Sequence, residues 1–343
     1  MKIGVMTGGG DCPGLNAVIQ AVVKRAADYK CEVIGFLDGY DGLINGRTMP
    51  LDMKNVRDIY QDGGTLLGTS RKNPFKSEEE TKKAMDNLKK LNIDAMVIIG
   101  GDDTLGAAKK LNDLGVNVVG VPKTIDNDLS STDYCIGFQT AVATAAEEIA
   151  RLQTTAKSHD RVLIAEIMGR HAGWLTLMAG LAGGAHIILV PEKDFDIKSV
   201  CRTIMKREKK GETYTVIAVA EGAKPKSIGD LVTVSKEKDE FGHERLGGIA
   251  ETLAKEIEKR TGKSTRSVVL GHVQRGGSPV AFDINFGIRL GIAAVDLVKK
   301  GKFGYAVVLK GIKIAPVKLE KVVEKNRTLS KDLLKLTDFF SMM

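Results

Sequence analysis

Ile3-Gly4-Val5-Met6-Thr7-Gly8-Gly9-Gly10-Asp11-Cys12-Pro13-Gly14-Leu15-Asn16 opens the chain with a short apolar run, a glycine-rich loop and the start of an amphipathic stretch over residues 16–28. A strand that passes into a helix through glycines is the unit of α/β layers, and its backbone N–H groups can cradle a phosphate at the helix start. The loop is neither the Walker pattern nor G-x-G-x-x-G. Taken alone it serves equally well as a plain strand-to-helix turn.

Outward from this loop the alternation continues. Apolar β-type runs fall at residues 33–36, 95–99, 116–121, 161–167, 185–190, 215–219 and 267–270, and helical stretches at 77–91, 104–114, 140–155, 197–209 and 248–261. The pattern predicts α/β layers around largely parallel sheets, with the glycine-rich loops at strand ends where such sheets place their ligands. With 343 residues and 43% hydrophobic content, the chain can bury one large core or two domains. No Pro/Ser-rich linker marks a boundary, so two lobes would be joined by crossing chain. Residues 224–245 are polar with little periodicity and read as a surface excursion or hairpin.

A formal charge of +8 suits nucleic acid, an anionic membrane surface or small polyanions. Lysines interleave with glutamates on the helical stretches and aromatics make up only 5%, so a base-stacking surface is not expected. Cys12, Cys31, Cys135 and Cys201 lie far apart, without a metal or disulfide spacing, which fits a reducing cytosol. The apolar run at residues 3–6 is too short for a signal-peptide core, and no segment approaches a membrane span, so neither secretion nor a membrane partner is expected.

Further loops carry charge. Ile99-Gly100-Gly101-Asp102-Asp103-Thr104 puts adjacent carboxylates at a strand end, where Asp102 can hold phosphate-bound Mg²⁺ and Asp103 or Thr104 can cap a helix. Pro122-Lys123-Thr124-Ile125-Asp126-Asn127-Asp128 offers a carboxylate to accept a hydroxyl proton and a lysine to neutralise a migrating phosphoryl group; an Asx-turn is the plain alternative. Met168-Gly169-Arg170-His171-Ala172-Gly173 and the run from Leu270 to Pro279, with Arg71, Arg161 and Arg266, supply cations suited to phosphate oxygens. Any one of these arginines can be a solvated surface residue; the constellation is harder to explain that way.

Read in order, TGGGDCPGLN, GGTLLGTSR, IGGDDT, PKTIDND, MGRHAGW, AEG and LGHVQRGGSP resemble the phosphofructokinase family over nearly the whole chain. The resemblance implies a two-lobed α/β fold, each lobe a mostly parallel sheet sandwiched by helices. Residues 1–137, completed by roughly 274–324, would bind the phosphoryl donor; residues 138–273, completed by roughly 325–343, would bind the sugar phosphate. It also implies a cytoplasmic transferase that passes a phosphoryl group to the 1-hydroxyl of fructose 6-phosphate with Mg²⁺ as cofactor.

By the same resemblance Asp126 is the general base, with Thr124 and Ile125 beside it, and Asp102 the metal ligand. Gly10, Arg71 and Thr104 contact the donor, and Arg170 lies near the transferring group. Met168, Gly169 and Glu221 recognise the sugar, while Arg161, Arg266, His272 and Arg275 hold the 6-phosphate. Family members reach into a neighbouring site with the residues matching Arg161 and Arg266, so a homodimer or homotetramer is expected. ATP-using members typically carry glycine where this chain has Asp103 and commonly where it has Lys123, so these two residues point to pyrophosphate and a readily reversible reaction. Asp103 carries most of that inference, because its charge would occupy and repel a nucleotide's α-phosphate. Gln20, Met53, Gln153 and His186 replace charged effector-site residues, so regulation by ADP or phosphoenolpyruvate is not expected. The rivals are the same reaction with ATP, a non-catalytic sugar-phosphate sensor and, more distantly, a nucleic-acid-binding module.

Overall fold

The computed structural model describes residues 1–226, 233–238, 240–242 and 244–339. The first sheet is built from β1 (Lys2–Thr7), β2 (Glu32–Phe36), β3 (Thr48–Leu51), β4 (Ala95–Gly100) and β5 (Val118–Pro122). The second takes β6 (Val162–Ile167), β7 (Ile187–Leu189) and β8 (Thr215–Ala220); a two-stranded ribbon, β9 (Thr233–Lys238) and β10 (Glu244–Leu246), follows. Next, β11 (Thr265–Val269) returns to the second sheet, while β12 (Tyr305–Lys310) and β13 (Lys313–Lys318) rejoin the first.

The seven-stranded first sheet has the order β13-β12-β5-β4-β1-β2-β3, and the four-stranded second sheet the order β11-β6-β8-β7. All pairings in the second sheet are parallel; in the first, only the edge strands β3 and β13 run antiparallel. Every residue of β4, β5, β6 and β8 is buried, which is why these strands read as mostly apolar runs rather than alternating ones; the charged exception, Glu166 in β6, accepts from the N–H groups of Gly248 and Ala250.

The helix Leu15–Asp28 buries Leu15, Val18, Ile19, Val22 and Ala26 on one stripe, the spacing of a helix laid on a sheet. The helix Glu78–Lys90 starts where Ser77 accepts a hydrogen bond from the Glu80 N–H, with three glutamates in its first turn and two lysines in its last. The helix Asp102–Asp113 starts two residues earlier than the sequence pattern suggests.

Residues 281–318 carry no clear period in the sequence, yet they form the helix Ala281–Lys299 and the β12–β13 hairpin. That helix is wedged inside the fold and buries residues on several faces, so it shows no amphipathic stripe. Pro316 sits in β13, an edge strand, where its missing N–H costs no ladder bond. Between β1 and its two neighbours, β2 and β4, the chain reverses its direction of travel across the sheet. Such a reversal opens a crevice at the carboxyl ends of the strands.

Candidate active site

The crevice is lined by the three loops singled out in the sequence. Gly8 follows β1 and donates its N–H to the Ile99 carbonyl at 2.9 Å, tying the first loop to β4. Gly9, Gly10, Arg71, Gly101, Asp102, Asp103, Thr104, Lys123, Thr124, Asp126, Asp128, Arg170, Phe241 and Arg275 line one cavity. Asp102 and Asp103 occupy the first turn of the helix Asp102–Asp113, so the positive end of its peptide dipoles faces the same space.

Lys123 is 3% exposed and donates to the carbonyls of Gly8, at 2.9 Å, and Gly10. Burial lowers its pKa, opposed chiefly by the nearby Cys12 and Asp126. An ammonium has three donors, so two carbonyls leave one for a phosphate oxygen.

Asp126 presents the opposite situation. Its Oδ1 is buried and has no hydrogen-bond partner among the described residues, while its N–H donates to Thr124 Oγ1 at 3.1 Å. A buried carboxylate oxygen left unpaired carries a substantial desolvation cost, as expected where a substrate supplies the partner. Asp128, two residues on, is pushed up to about 8 by burial first and then by the charges of Asp126 and Asp102. Among the described residues no three His, Cys, Asp or Glu side chains are grouped closely enough to cage a metal. Mg²⁺ takes one or two carboxylates and completes its shell with phosphates and water, so Asp102 in the cavity wall is the kind of protein ligand it would use.

The residues expected to recognise the sugar lie beside this cavity, at the carboxyl ends of the second sheet. Glu221 follows β8, and its Oε1 accepts from the N–H groups of Gly169 and Arg170 at 3.3 and 3.0 Å, bringing the segment after β6 against it. Burial raises the Glu221 pKa. Gly169 has φ +143°, and a Cβ there would meet the Ala172 carbonyl oxygen at 2.7 Å, so only glycine fits. Arg170 holds φ +45°, an uncommon value for a long side chain. The Met168 N–H donates to Gln274 at 3.4 Å, and Ile125 lies buried behind Asp126.

His272 and Arg275 share the short helix Gly271–Arg275. Arg275 lies against the first loop: it donates to the Asp11 carbonyl at 3.1 Å, and a Cβ on Gly10 would meet its Nη1 at 2.6 Å. Arg161 and Arg266 stand apart. They flank the amino ends of β6 and β11, about 20 Å of strand from Met168. Arg266 is exposed and pairs with Glu258 at 3.4 Å.

Sequence reasoning left Asp128 and Phe241 outside the site. Asp128 is in the quoted motif, and its burial is what marks it out; Phe241 comes from the excursion, and nothing in its local sequence signals where it docks.

Of the four residues expected to stand in for effector-site charges, Met53 is exposed and the other three serve local structure. Gln20 donates to the Val56 and Arg57 carbonyls, Gln153 to those of Gly183 and Gly184, and His186 Nδ1 accepts from the Val216 N–H at 2.9 Å. Burial, then Arg207, lowers His186 to about 4, so it stays neutral in that role.

Two α/β lobes with glycine-rich loops, carboxylates at a helix start and a buried unpaired carboxylate facing one cavity fit the phosphoryl-transfer class of enzyme. A phosphofructokinase family model matches residues 2–298, and the chain belongs to that family. It is 52% identical to pyrophosphate--fructose 6-phosphate 1-phosphotransferase of Streptomyces coelicolor, over 96% of each chain. It is 49% identical to ATP-dependent 6-phosphofructokinase 2 of the same organism, over 97% of each. Among solved structures, Pichia pastoris phosphofructokinase in the T-state superposes with a TM-score of 0.83 at 31% identity, covering 94% of this chain and 35% of that one.

Proposed function

We propose that this chain is a pyrophosphate-dependent phosphofructokinase. The 1-hydroxyl oxygen of fructose 6-phosphate attacks the terminal phosphorus of pyrophosphate, the bridging P–O bond breaks, and fructose 1,6-bisphosphate and inorganic phosphate leave. Asp126 accepts the hydroxyl proton through its unpaired Oδ1. Arg170 and Lys123 meet the charge on the migrating group, and Gly10, Arg71 and Thr104 hold the donor. Asp102 would hold the donor's Mg²⁺, whose chemistry is charge neutralisation on the phosphates. Thr124, Met168, Gly169, Arg170 and Glu221 orient the sugar, and His272 and Arg275 approach its phosphate. Arg161 and Arg266 complete a neighbouring subunit's site in a homodimer or homotetramer, which accounts for their distance from their own chain's cavity. The working halves are residues 1–137 with 274–324 for the donor and 138–273 with 325–343 for the sugar, in a cytoplasmic enzyme.

The observation that carries the donor assignment is Asp103 in the cavity wall, a fixed negative charge at the helix start where a nucleotide's inner phosphate would otherwise bind. The test is initial rate with fructose 6-phosphate and Mg²⁺, with pyrophosphate or ATP in separate assays and fructose 1,6-bisphosphate as readout. Turnover dominated by pyrophosphate supports the reading. Turnover dominated by ATP transfers the enzyme to the second reading, which the 49% identity to an ATP-dependent relative favours. No turnover with either refutes both.

A further inference from the structure

Glu240 and Phe241 lie between β9 and β10, in an excursion that leaves the second sheet after β8 and returns before the helix Ile249–Thr261. They reach the other lobe. Glu240 Oε2 accepts from the Asn73 N–H at 3.0 Å, and its Oε1 lies 3.4 Å from Lys72 Nζ and 3.3 Å from Lys76 Nζ. Lys72 and Asn73 directly follow Arg71, a wall residue of the cavity, and Phe241 lines that same cavity.

Phe241 is the one wholly apolar side chain among the cavity's lining residues. An aromatic ring in a wall of glycines, cations and carboxylates offers no hydrogen bond to a phosphate oxygen; what it contributes is excluded volume and excluded water. Its neighbour Glu240 meanwhile pairs with Lys76 and, together with Glu80 at 2.6 Å, with Lys72, which reduces the cationic surface left for a longer polyanion. We propose that Phe241, positioned by Glu240, is the outer wall of the donor end and limits the donor to inorganic diphosphate by excluding longer polyphosphates and nucleosides. The inference deepens the pyrophosphate reading and rests on it.

The wild-type donor preference tests that reading; the change in preference on substitution tests the wall. In Phe241→Ala, kcat/KM for inorganic tripolyphosphate and for ATP, each relative to pyrophosphate, rises about tenfold or more, while KM for fructose 6-phosphate stays within about twofold. Glu240→Ala shifts the ratios in the same direction, because the ring loses its tether. A structural brace alone would lower all donors and the sugar together and leave the ratios unchanged, and that result overturns the proposal. So does a selective loss of ATP use, which would make Phe241 a base-stacking platform. A binding readout stands apart from turnover: in Phe241→Trp, emission of the introduced indole shifts as Mg-pyrophosphate is titrated, and an unchanged spectrum places the ring outside the donor site.

Discussion

Replacing Asp103 with glycine probes the donor reading at a single charge. Asp103 lies in the first turn of the helix Asp102–Asp113. Its removal forfeits a favourable carboxylate at the helix start, worth about 0.3–1 kcal/mol, and adds glycine's backbone freedom, about 0.5–1 kcal/mol. Against a typical stability of about 5–15 kcal/mol, the variant folds. The effect in the cavity is larger. A carboxylate and one charge of an inner phosphate, about 5 Å apart at an effective dielectric constant of about 20, repel by about 3 kcal/mol. Relieving that repulsion raises kcat/KM for ATP by about 10²-fold. The assay is initial rate of fructose 1,6-bisphosphate formation across an ATP series, with the melting temperature confirming an intact fold. If kcat/KM for ATP moves by less than about threefold in a folded variant, Asp103 does not set donor choice.

Adding Lys123→Gly to Asp103→Gly deprives the Gly8 and Gly10 carbonyls of their buried donor. Each orphaned carbonyl costs about 1–3 kcal/mol; the double variant melts lower and loses most pyrophosphate turnover, and retained turnover would remove Lys123 from the mechanism. Asp126→Asn lowers kcat by about 10²–10⁴ while fructose 6-phosphate still protects the protein in a thermal-shift assay; a near-normal kcat would exclude Asp126 as the base. Asp128, raised from 3.8 to about 8, binds its proton more tightly folded than unfolded, so its contribution is full below pH 3.8 and lost as pH climbs through about 8. Asp128→Asn therefore narrows the gap in melting temperature between pH 5 and pH 8.5, and an unchanged gap assigns the slope to other groups. Mixing Asp126→Asn with Arg266→Ala subunits restores roughly a quarter of wild-type activity if sites are completed by a dimer neighbour; mixtures as inactive as their parents count against shared sites.

The loops lining the cavity were visible in the sequence because phosphoryl-transfer sites are assembled from contiguous backbone at strand ends. A strand, two or three glycines and a helix start fix both the local conformation and its ligand-facing N–H groups. For the same reason β1, β4, β6 and β8 stood out: they are buried along nearly their whole length and are mostly apolar, interrupted in β6 by Glu166. Signals that depend on contrast between faces failed where there was no contrast. The helix Ala281–Lys299 is apolar on several sides, and the short strand β3 at the sheet edge carries a proline.

Long-range placement escaped the sequence for a different reason. Whether Arg275 lies against the first loop, and which lobe Phe241 meets, depends on contacts across 264 and 167 positions that no local pattern encodes. Glu240 resembles any solvated glutamate until Asn73, Lys72 and Lys76 are brought to it. The chemistry of transfer is thus written in short motifs, whereas the length of the donor is decided by the wall opposite them. On the proposed reading the motifs carry the reaction in this chain, and its choice between pyrophosphate and ATP turns on Asp103 and on the side chain that closes the outer end of the cavity.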